Sequence, residues 1–275
     1  MRQRNRVLVG LAAILVSTSI FLVPFAFILL TAMKNPKESR ALDFSWPTEW
    51  PIVENIKAVF AARDGMLMRA FINSTILTVT SVILVVLLGA MVAFVLQRRS
   101  SRLNGPVNLL VLAGLIIPPA VVPTVWLLQE VHLFKTLTGM ILIEVAYGLP
   151  FTILLFRAFV STIPRELDEA AIIDGAGPLR LFFKVIFPLL RSVMVTVVVI
   201  QSVVIFNDFA GPLYFLPGDA NATVQLTLYN FLGQFSTQYN LLFTNILLIT
   251  IPPLVMFMFF NKRIVAGMTA GAVKG

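Results

Sequence analysis

The chain has 275 residues, of which 58% are hydrophobic and only 12% are charged. A soluble domain with that surface would aggregate, so the composition favours one membrane domain spanning residues 1–275. The net charge of +8 does not indicate nucleic-acid binding, because the basic residues stand at the ends of apolar segments. The chain has no cysteine and one histidine, His132, so thiolate and metal catalysis are not expected.

Uncharged segments mark the candidate spans, because about 20 apolar residues cross a bilayer and a charge at mid-depth is costly. In chain order they cover residues 7–33, 70–97, 103–129, 136–156, 188–206 and 241–260. Pro118, Pro119 and Pro123 predict a broken or kinked helix in the third span. The first segment is too long for a signal peptide and is interpreted as a retained span. The sequence therefore predicts an all-α membrane protein with six transmembrane helices.

The distribution of Lys and Arg predicts the orientation of these spans. If the basic N-terminus faces the cytoplasm, so do the turn at 98–102, the loop at 161–187 and the C-terminal tail, which are all rich in basic residues. The positive-inside rule then places both termini in the cytoplasm. The segments 34–69 and 207–240 become the large external loops.

The cytoplasmic loop at 161–187 is longer than a plain connection requires. Pro164 suits the first turn of a helix, and three acids that follow it suit the positive N-terminal end of the helix dipole. These acids are Glu166, Asp168 and Glu169. We expect a short helix up to about Asp174, a break at residues 175–177, and a second short helix opened by Pro178.

The second short helix is predicted to be amphipathic. Its apolar residues Leu179, Phe182, Phe183 and Ile186 recur at intervals of three and four. Such an element either lies in the lipid interface or inserts into a groove of a cytoplasmic partner. The periodicity alone leaves both possibilities open.

A family resemblance favours the partner. Glu169-Ala170-Ala171, three residues, Gly175, nine residues and then residues 185–188 resemble the EAA loop of ABC-importer permeases, with Val185 and Phe187 replacing the usual Ile and Leu. Residues 206–208, Phe-Asn-Asp, are similar to the Trp-Asn-Asp of carbohydrate permeases. The ending at 267–275 is similar to the tail of the maltose/trehalose-type second permease subunit. The likeness runs from about Ala70 to the end of the chain.

The resemblance implies the ABC-importer permease fold and a set of partners in a bacterial or archaeal cytoplasmic membrane. These partners are a homologous second permease subunit, two ATPase subunits that hold ATP and Mg, an extracellular solute-binding protein, a sugar and the lipid bilayer. This chain would be the non-catalytic pore subunit. It contains no Gly-Lys dipeptide and therefore no Walker A loop for ATP phosphates.

The resemblance also implies residue roles. The ATPase-coupling residues are Glu169, Ala170, Ala171, Asp174, Gly175 and Pro188, and the ATPase-contacting tail is Gly271, Ala272, Val273, Lys274 and Gly275. The candidate pathway residues are Asn207, Asp208, Glu144, Tyr147, Trp126 and Gln129, since an intramembrane acid such as Glu144 indicates function. The loop expected to face the binding protein carries Tyr214, Gln225, Tyr229 and Gln234.

Other functions remain as alternatives. An ion-coupled secondary transporter is disfavoured because only one acid lies within the predicted spans. An ABC permease for a non-sugar solute would carry the same coupling loop. A membrane-embedded enzyme ranks third, because the sequence offers neither a histidine pair nor an acid dyad within spans.

Overall fold

The computed structural model describes residues 2–233 and 237–272, with side chains described for 10–11, 13–233 and 237–260. This part of the chain is helical, with an isolated antiparallel bridge between Leu232 and Thr237. The α-helices are α1 (Arg2–Ala32), α2 (Ile52–Arg98), α3 (Asn104–Ile116), α4 (Val121–Glu130), α5 (Leu137–Val160), α6 (Glu166–Ile173), α7 (Pro178–Leu181), α8 (Phe187–Leu189), α9 (Arg191–Phe206), α10 (Ala210–Phe215) and α11 (Tyr239–Ala272). Phe182–Ile186 forms a π-helical turn, and Glu38–Ala41 and Val224–Phe231 are 3₁₀ helices.

The helices agree with most of the predicted spans. Ala13–Ala32, Ile52–Arg98, Leu137–Val160 and Tyr239–Phe260 are each long and apolar enough to cross a membrane. Two bent pairs, α3 with α4 and Pro178–Leu189 with α9, each qualify as one span, so the described residues provide four to six candidate spans. The all-helical prediction is confirmed. The exact count of six remains a prediction.

Prolines divide the third span as expected. Ile117 adopts an extended conformation before Pro118, and the axes of α3 and α4 differ by 117°. Pro123 lies in the first turn of α4. Because proline lacks an N–H and disfavours a helical residue before it, the pair Pro118-Pro119 ends α3.

Helix α2 begins earlier than the predicted second span. Residues 62–65 leave helical geometry, and Arg63, Asp64 and Gly65 all have positive φ, so a helix at 52–61 precedes the longer helix at 66–98. The Arg69 guanidinium donates hydrogen bonds to Asp64 O at 2.6 Å and to Arg63 O at 3.2 Å. Arg69 thereby satisfies carbonyl groups that the break removes from the helix ladder.

The chain divides into two compact units. One comprises the residues up to Ala70 together with Val224–Ile251, and its interior holds a polar network. Asn55 Nδ2 donates to Ala32 O at 2.9 Å and to Lys34 O at 3.1 Å, and Asn55 Oδ1 accepts from Asn240 at 2.8 Å. These bonds satisfy the carbonyls at the end of α1.

Lys34 is a second structural polar residue of this unit. Its side chain is fully buried, and its ammonium donates to Asp43 Oδ1 at 2.6 Å and to Asp43 O at 2.8 Å. The hydrogen bond from Lys34 lowers the pKa of Asp43 to about 2. Asp43 is thus ionised whenever the pH lies well above that value, and the buried ammonium keeps its partner.

The second unit comprises Phe71–Thr223 and the residues from 252 onward. Its apolar core includes Phe156, Val160, Ile186, Val193 and Val197, each fully buried. Helices α2 and α5 approach closely, since a Cβ on Gly89 would lie 2.6 Å from Thr152 Cγ2. Gln201 of α9 donates to Gly148 O at 3.3 Å and to Thr152 Oγ1 at 3.2 Å, which links α5 to α9.

Candidate functional site

The coupling segment, residues 161–190, folds as the helix-turn-helix that the sequence predicts. Helix α6 carries its three acids in the first turn, and α7 begins with Pro178 at its N-terminus. Between them, Gly175 N donates to Ile172 O and Ala176 N donates to Ala171 O, both at 2.9 Å. This pair of bonds is a Schellman motif with Gly175 at the left-handed position, where φ is +78°.

Gly175 is needed for its backbone conformation. A Cβ at this position would have no heavy atom within 4 Å, so side-chain volume is not restricted. The positive φ is what disfavours other residues. The sequence prediction that Gly175 supplies the turn agrees with this geometry.

The coupling segment divides into an exposed end and a buried base. Helix α6 has no buried residue, and Ile173 is 85% exposed, with Ile172 and Leu179 also exposed. At the base, Phe182 and Ile186 lie in the core. The single apolar face expected for the second short helix is therefore shared between the core and the surface. Glu169, Ala170, Asp174 and Pro188 are exposed, whereas Ala171 packs partly against the core.

An ion pair joins the coupling segment to the end of α2. Arg98 Nε lies 2.7 Å from Asp168 Oδ2, and both side chains are nearly buried, at 10% and 13% exposed. Arg98 Nη2 also donates to Ile163 O at 2.9 Å, on the connection that precedes α6. We name Arg98, Asp168 and Ile163 the α2–α6 clamp. The clamp holds α6 to the last residue of a long candidate span.

A second site lies at the other ends of α5 and α9. A cavity of about 420 Å³ is lined by Glu144 and Tyr147 of α5, by Asp208 after α9, and by Tyr214 of α10, with apolar residues including Val121 between them. Glu144 is 6% exposed and its carboxyl is within hydrogen-bonding reach of that of Asp208. Asp208 also accepts from Gly211 N at 3.1–3.2 Å, which fixes the start of α10. We name this cavity the carboxyl cavity.

The structure brings some predicted pathway residues together and separates others. Glu144, Tyr147 and Asp208 line the carboxyl cavity, whereas Trp126, Gln129 and Asn207 are not among its lining residues. Trp126 is exposed on α4, and Asn207 donates back to Val203 O at 2.9 Å. Tyr214, predicted to face a binding protein, also lines the cavity.

The segment predicted as an external loop is more structured than its polar composition indicates. Val224, Leu226, Thr227 and Phe231 of the 3₁₀ helix are buried, because the apolar positions of this segment face inward. Gln225 is half-buried and Tyr229 exposed. Gln234 lies outside the described residues.

The predicted ATPase-contacting tail is described only in part. The backbone of α11 continues through Gly271 to Ala272, so the last predicted span and the start of the tail form one helix. Val273, Lys274 and Gly275 lie outside the described residues.

Two features of these sites were missed from the sequence. The α2–α6 clamp joins residues 70 positions apart, and neither Arg98 nor Asp168 belongs to the EAA pattern. The sequence did contain a signal for the clamp. Arg98 directly follows the second uncharged segment, and Asp168 lies among the acids of the loop at 161–187. The position of Tyr214 in the carboxyl cavity had no signal in the sequence, because the sequence predicts a loop where α10 lies.

Several candidate membrane spans, with an exposed helix-turn-helix between two of them, define a polytopic membrane permease component. Residues 85–270 match the model of the family described as "Binding-protein-dependent transport system inner membrane component", and the chain belongs to this family. The resemblance inferred from the EAA loop is thereby confirmed. The family description also places the protein in a membrane and links it to a binding protein.

Three relatives match between 81% and 100% of the chain. A melibiose/raffinose/stachyose import permease of Bacillus subtilis is 33% identical, with 100% of this chain and 99% of that protein covered. A diacetylchitobiose uptake permease of Streptomyces coelicolor is 32% identical, covering 96% and 87%. A trehalose transport permease of Mycobacterium tuberculosis is 34% identical, covering 81% and 82%.

Solved structures support the fold. A chain of a bacterial ABC transporter that imports the acidic polysaccharide alginate superposes with a TM-score of 0.83 at 17% identity, covering 95% of this chain and 97% of that one. A bacterial alginate ABC transporter in complex with a periplasmic protein bound to an alginate pentasaccharide gives 0.69 at 16% identity, covering 94% of each. The ABC-importer permease fold is thereby confirmed.

Proposed function

We propose that this chain is a pore-forming permease subunit of an ATP-driven importer of uncharged di- or oligosaccharides. The carbohydrate relatives support the substrate class, because three of them import sugars and match 81% or more of this chain. We place the protein in a bacterial or archaeal cytoplasmic membrane as one permease domain with six spans and both termini inside. The basic residues near the termini and around α6–α7 support that orientation.

The observation that carries the coupling role is the exposed end of the coupling segment. Ile172, Ile173 and Leu179 are exposed on the helix pair between α5 and α9, and apolar side chains grouped on a surface mark a site of interaction. Apolar side chains on a short rigid helix pair suit a groove on a protein partner. We propose that this partner is an ATPase subunit, and that Glu169, exposed in the first turn of α6, pairs with one of its basic groups.

The buried base allows the docking surface to transmit movement to the rest of the permease. Phe182 and Ile186 are embedded in the core, and the clamp ties α6 to the end of α2. A rigid connection of this kind passes movement of a docked partner to α2 and α9. Closing of an ATPase dimer would thereby move the permease between inward- and outward-facing states.

The remaining partners follow from the same assignment. A homologous second permease would complete the pore, two ATPase subunits would hold ATP and Mg, and an extracellular binding protein would deliver the sugar. The tail at 271–275 would contact the ATPases, and the segment at 207–240 would face the binding protein. The carboxyl cavity would lie on the sugar pathway.

The test is a charge reversal at Glu169 with a matched control in the same helix turn. We expect Glu169→Lys to abolish ATP-dependent uptake of raffinose by proteoliposomes containing the complete assembly, because the ion pair with the ATPase becomes a repulsion. Glu166→Lys makes the same charge change in the same helix turn and should retain most uptake. Membrane insertion of both variants is checked by fluorescence-detected size exclusion.

Three outcomes would contradict the proposal or part of it. Normal uptake by Glu169→Lys would remove the coupling role of α6. Uptake that collapses when a protonophore or sodium ionophore is added, while ATP is plentiful, would favour the ion-coupled secondary transporter. Uptake of a non-sugar solute alone would leave the ABC permease and change its substrate class.

A further inference from the structure

The carboxyl cavity contains a pair of carboxyl groups, Glu144 and Asp208, in which one oxygen of the buried Glu144 has no hydrogen-bond partner. Glu144 is 94% buried, and its Oε1 has no hydrogen-bond partner. The neighbouring carboxyl of Asp208 is itself an acceptor group and receives its hydrogen bonds from Gly211 N. A buried polar atom without a partner is costly, so a lone acceptor beside a cavity marks the place where a donor binds.

The cavity wall does not provide that donor as a cation. Of the described residues that line the cavity, none is Lys, Arg or His. The described part of the chain also contains no group of three His, Cys, Asp or Glu side chains that could hold a metal ion. Among the described residues the cavity therefore offers two acids and no third ligand of this type, and we consider neutral hydroxyl donors as its ligands.

The other lining residues suit a carbohydrate. Tyr147 and Tyr214 contribute exposed aromatic side chains, and apolar residues such as Val121 and Phe215 lie between them. Aromatic rings pack against the C–H faces of a sugar, and paired carboxyls accept hydrogen bonds from neighbouring hydroxyls. A volume of about 420 Å³ lies within the usual range for small-ligand pockets.

The carboxyls of Glu144 and Asp208 also disfavour the binding of anionic sugars. A uronate carried into the cavity would place its carboxylate near two protein carboxyls, with no cation in the wall to compensate. Repulsion at low dielectric is strong, and the acid pair therefore selects by charge as well as by shape.

We propose that Glu144, Asp208, Tyr147 and Tyr214 form a subsite that binds hydroxyls of an uncharged saccharide and excludes uronates. This assignment rests on the proposed sugar-import function and adds a specificity filter within the permease itself. The filter acts after any selection by a binding protein. Glu144 is its central group, because it combines burial with an unpaired acceptor.

The experiment measures weak sugar binding by saturation-transfer NMR on the full permease–ATPase assembly in nanodiscs without binding protein. The probes are raffinose, trehalose, diacetylchitobiose and digalacturonate. Wild type should bind at least one uncharged probe and not digalacturonate. Glu144→Leu should lose the uncharged probe, and Glu144→Gln should bind it about fivefold more weakly, because the amide keeps one acceptor oxygen but removes one carboxyl from the charge-bearing pair with Asp208.

The double variant Glu144→Gln/Asp208→Asn should gain digalacturonate binding, since the repulsion is gone while the shape is retained. Glu130→Gln, an exposed acid at the end of α4, is the matched control and should leave every probe unchanged. Thermal unfolding of each variant confirms that the assembly is intact.

Three results would overturn the subsite. They are unchanged binding of uncharged sugar in Glu144→Leu, equal binding of digalacturonate and uncharged sugar by wild type, and failure of wild type to bind any uncharged probe. ATP-dependent uptake measured on the same preparations distinguishes failure of the subsite from failure of the proposed function. Uptake of sugar by wild type together with any of these results rejects the subsite alone, whereas absence of all sugar uptake rejects the proposed function.

Discussion

The coupling segment and the carboxyl cavity differ in how their residues are brought together. In the coupling segment, α6, the turn at Gly175 and α7 are consecutive in the chain, and the turn is closed by local backbone hydrogen bonds. The carboxyl cavity takes its lining from the start of α4, from α5, from the end of α9 and from α10. The first site is therefore determined by local sequence, and the second by packing of distant helices.

This difference also separates the consequences of mutation. A change at the exposed end of the coupling segment acts on a surface that the described residues leave uncovered, so docking suffers while the fold persists. A change beside the cavity acts on packed spans, where stability and binding change together. The predictions below test that separation.

The largest effect is expected at the turn of the coupling segment. Valine at Gly175 raises the free energy of the left-handed turn by about 1–2 kcal/mol, which lowers the equilibrium ratio of bent to unbent segment about tenfold. We expect Gly175→Val to reduce ATP-dependent uptake accordingly, with unchanged insertion. Gly175→Asn is the control, because asparagine tolerates positive φ. Equal uptake by both variants and wild type would show that the bend is dispensable.

A smaller effect is expected at the α2–α6 clamp. Arg98→Ala removes the ion pair with Asp168 and the hydrogen bond to Ile163, so α6 should still dock but transmit movement poorly. We expect the sugar imported per ATP hydrolysed to fall about fivefold, at the low end of coupling between sites.

Arg99→Ala, an exposed neighbour, is the matched control for the clamp and should preserve the ratio. Arg98→Lys retains the positive charge and should recover part of the lost sugar import per ATP hydrolysed. If Arg98→Ala lowers uptake and ATP hydrolysis in proportion, the clamp only stabilises the fold and has no part in transmission.

The smallest effect is expected in the helix packing that supports the cavity. Gln201→Leu removes the hydrogen bonds from α9 to Gly148 and Thr152 of α5, at a cost of about 0.6 kcal/mol for an interhelical bond in a membrane. A thermal unfolding midpoint lowered by about 1–2 °C with unchanged sugar imported per ATP is the expected result. A fall in that ratio would show that cavity packing and coupling are not separable.

The sequence predicted those features that depend on local chemistry. Proline at 118–119 ended α3, Pro178 opened α7, and Gly175 closed the turn. The break at 62–65 was not predicted because only Gly65 marks it, whereas Arg63 and Asp64 adopt positive φ although they are not glycine. The segment Val224–Phe231 was likewise predicted to be a surface loop, because it contains amide side chains and a threonine. Its buried face depends on contacts with neighbouring segments, which the sequence does not show.

The sequence also predicted some residues of the candidate site but not the contacts between them. Glu144 stood out as an acid within a span, but its pairing with Asp208 joins residues from α5 and the end of α9. Such a pairing appears only when helices pack. The clamp between Arg98 and Asp168 was hidden for the same reason.

The central claim is that the exposed end of the coupling segment docks in a separate ATPase subunit. Because the chain contains no cysteine, a single cysteine at Ile173 can be tested without background from this subunit. We expect Ile173→Cys to form a disulfide cross-link to a cysteine placed in the ATPase cleft, in the assembled importer with and without ATP. Cross-linking that instead reaches only lipid or solvent probes throughout the ATP cycle would contradict the account.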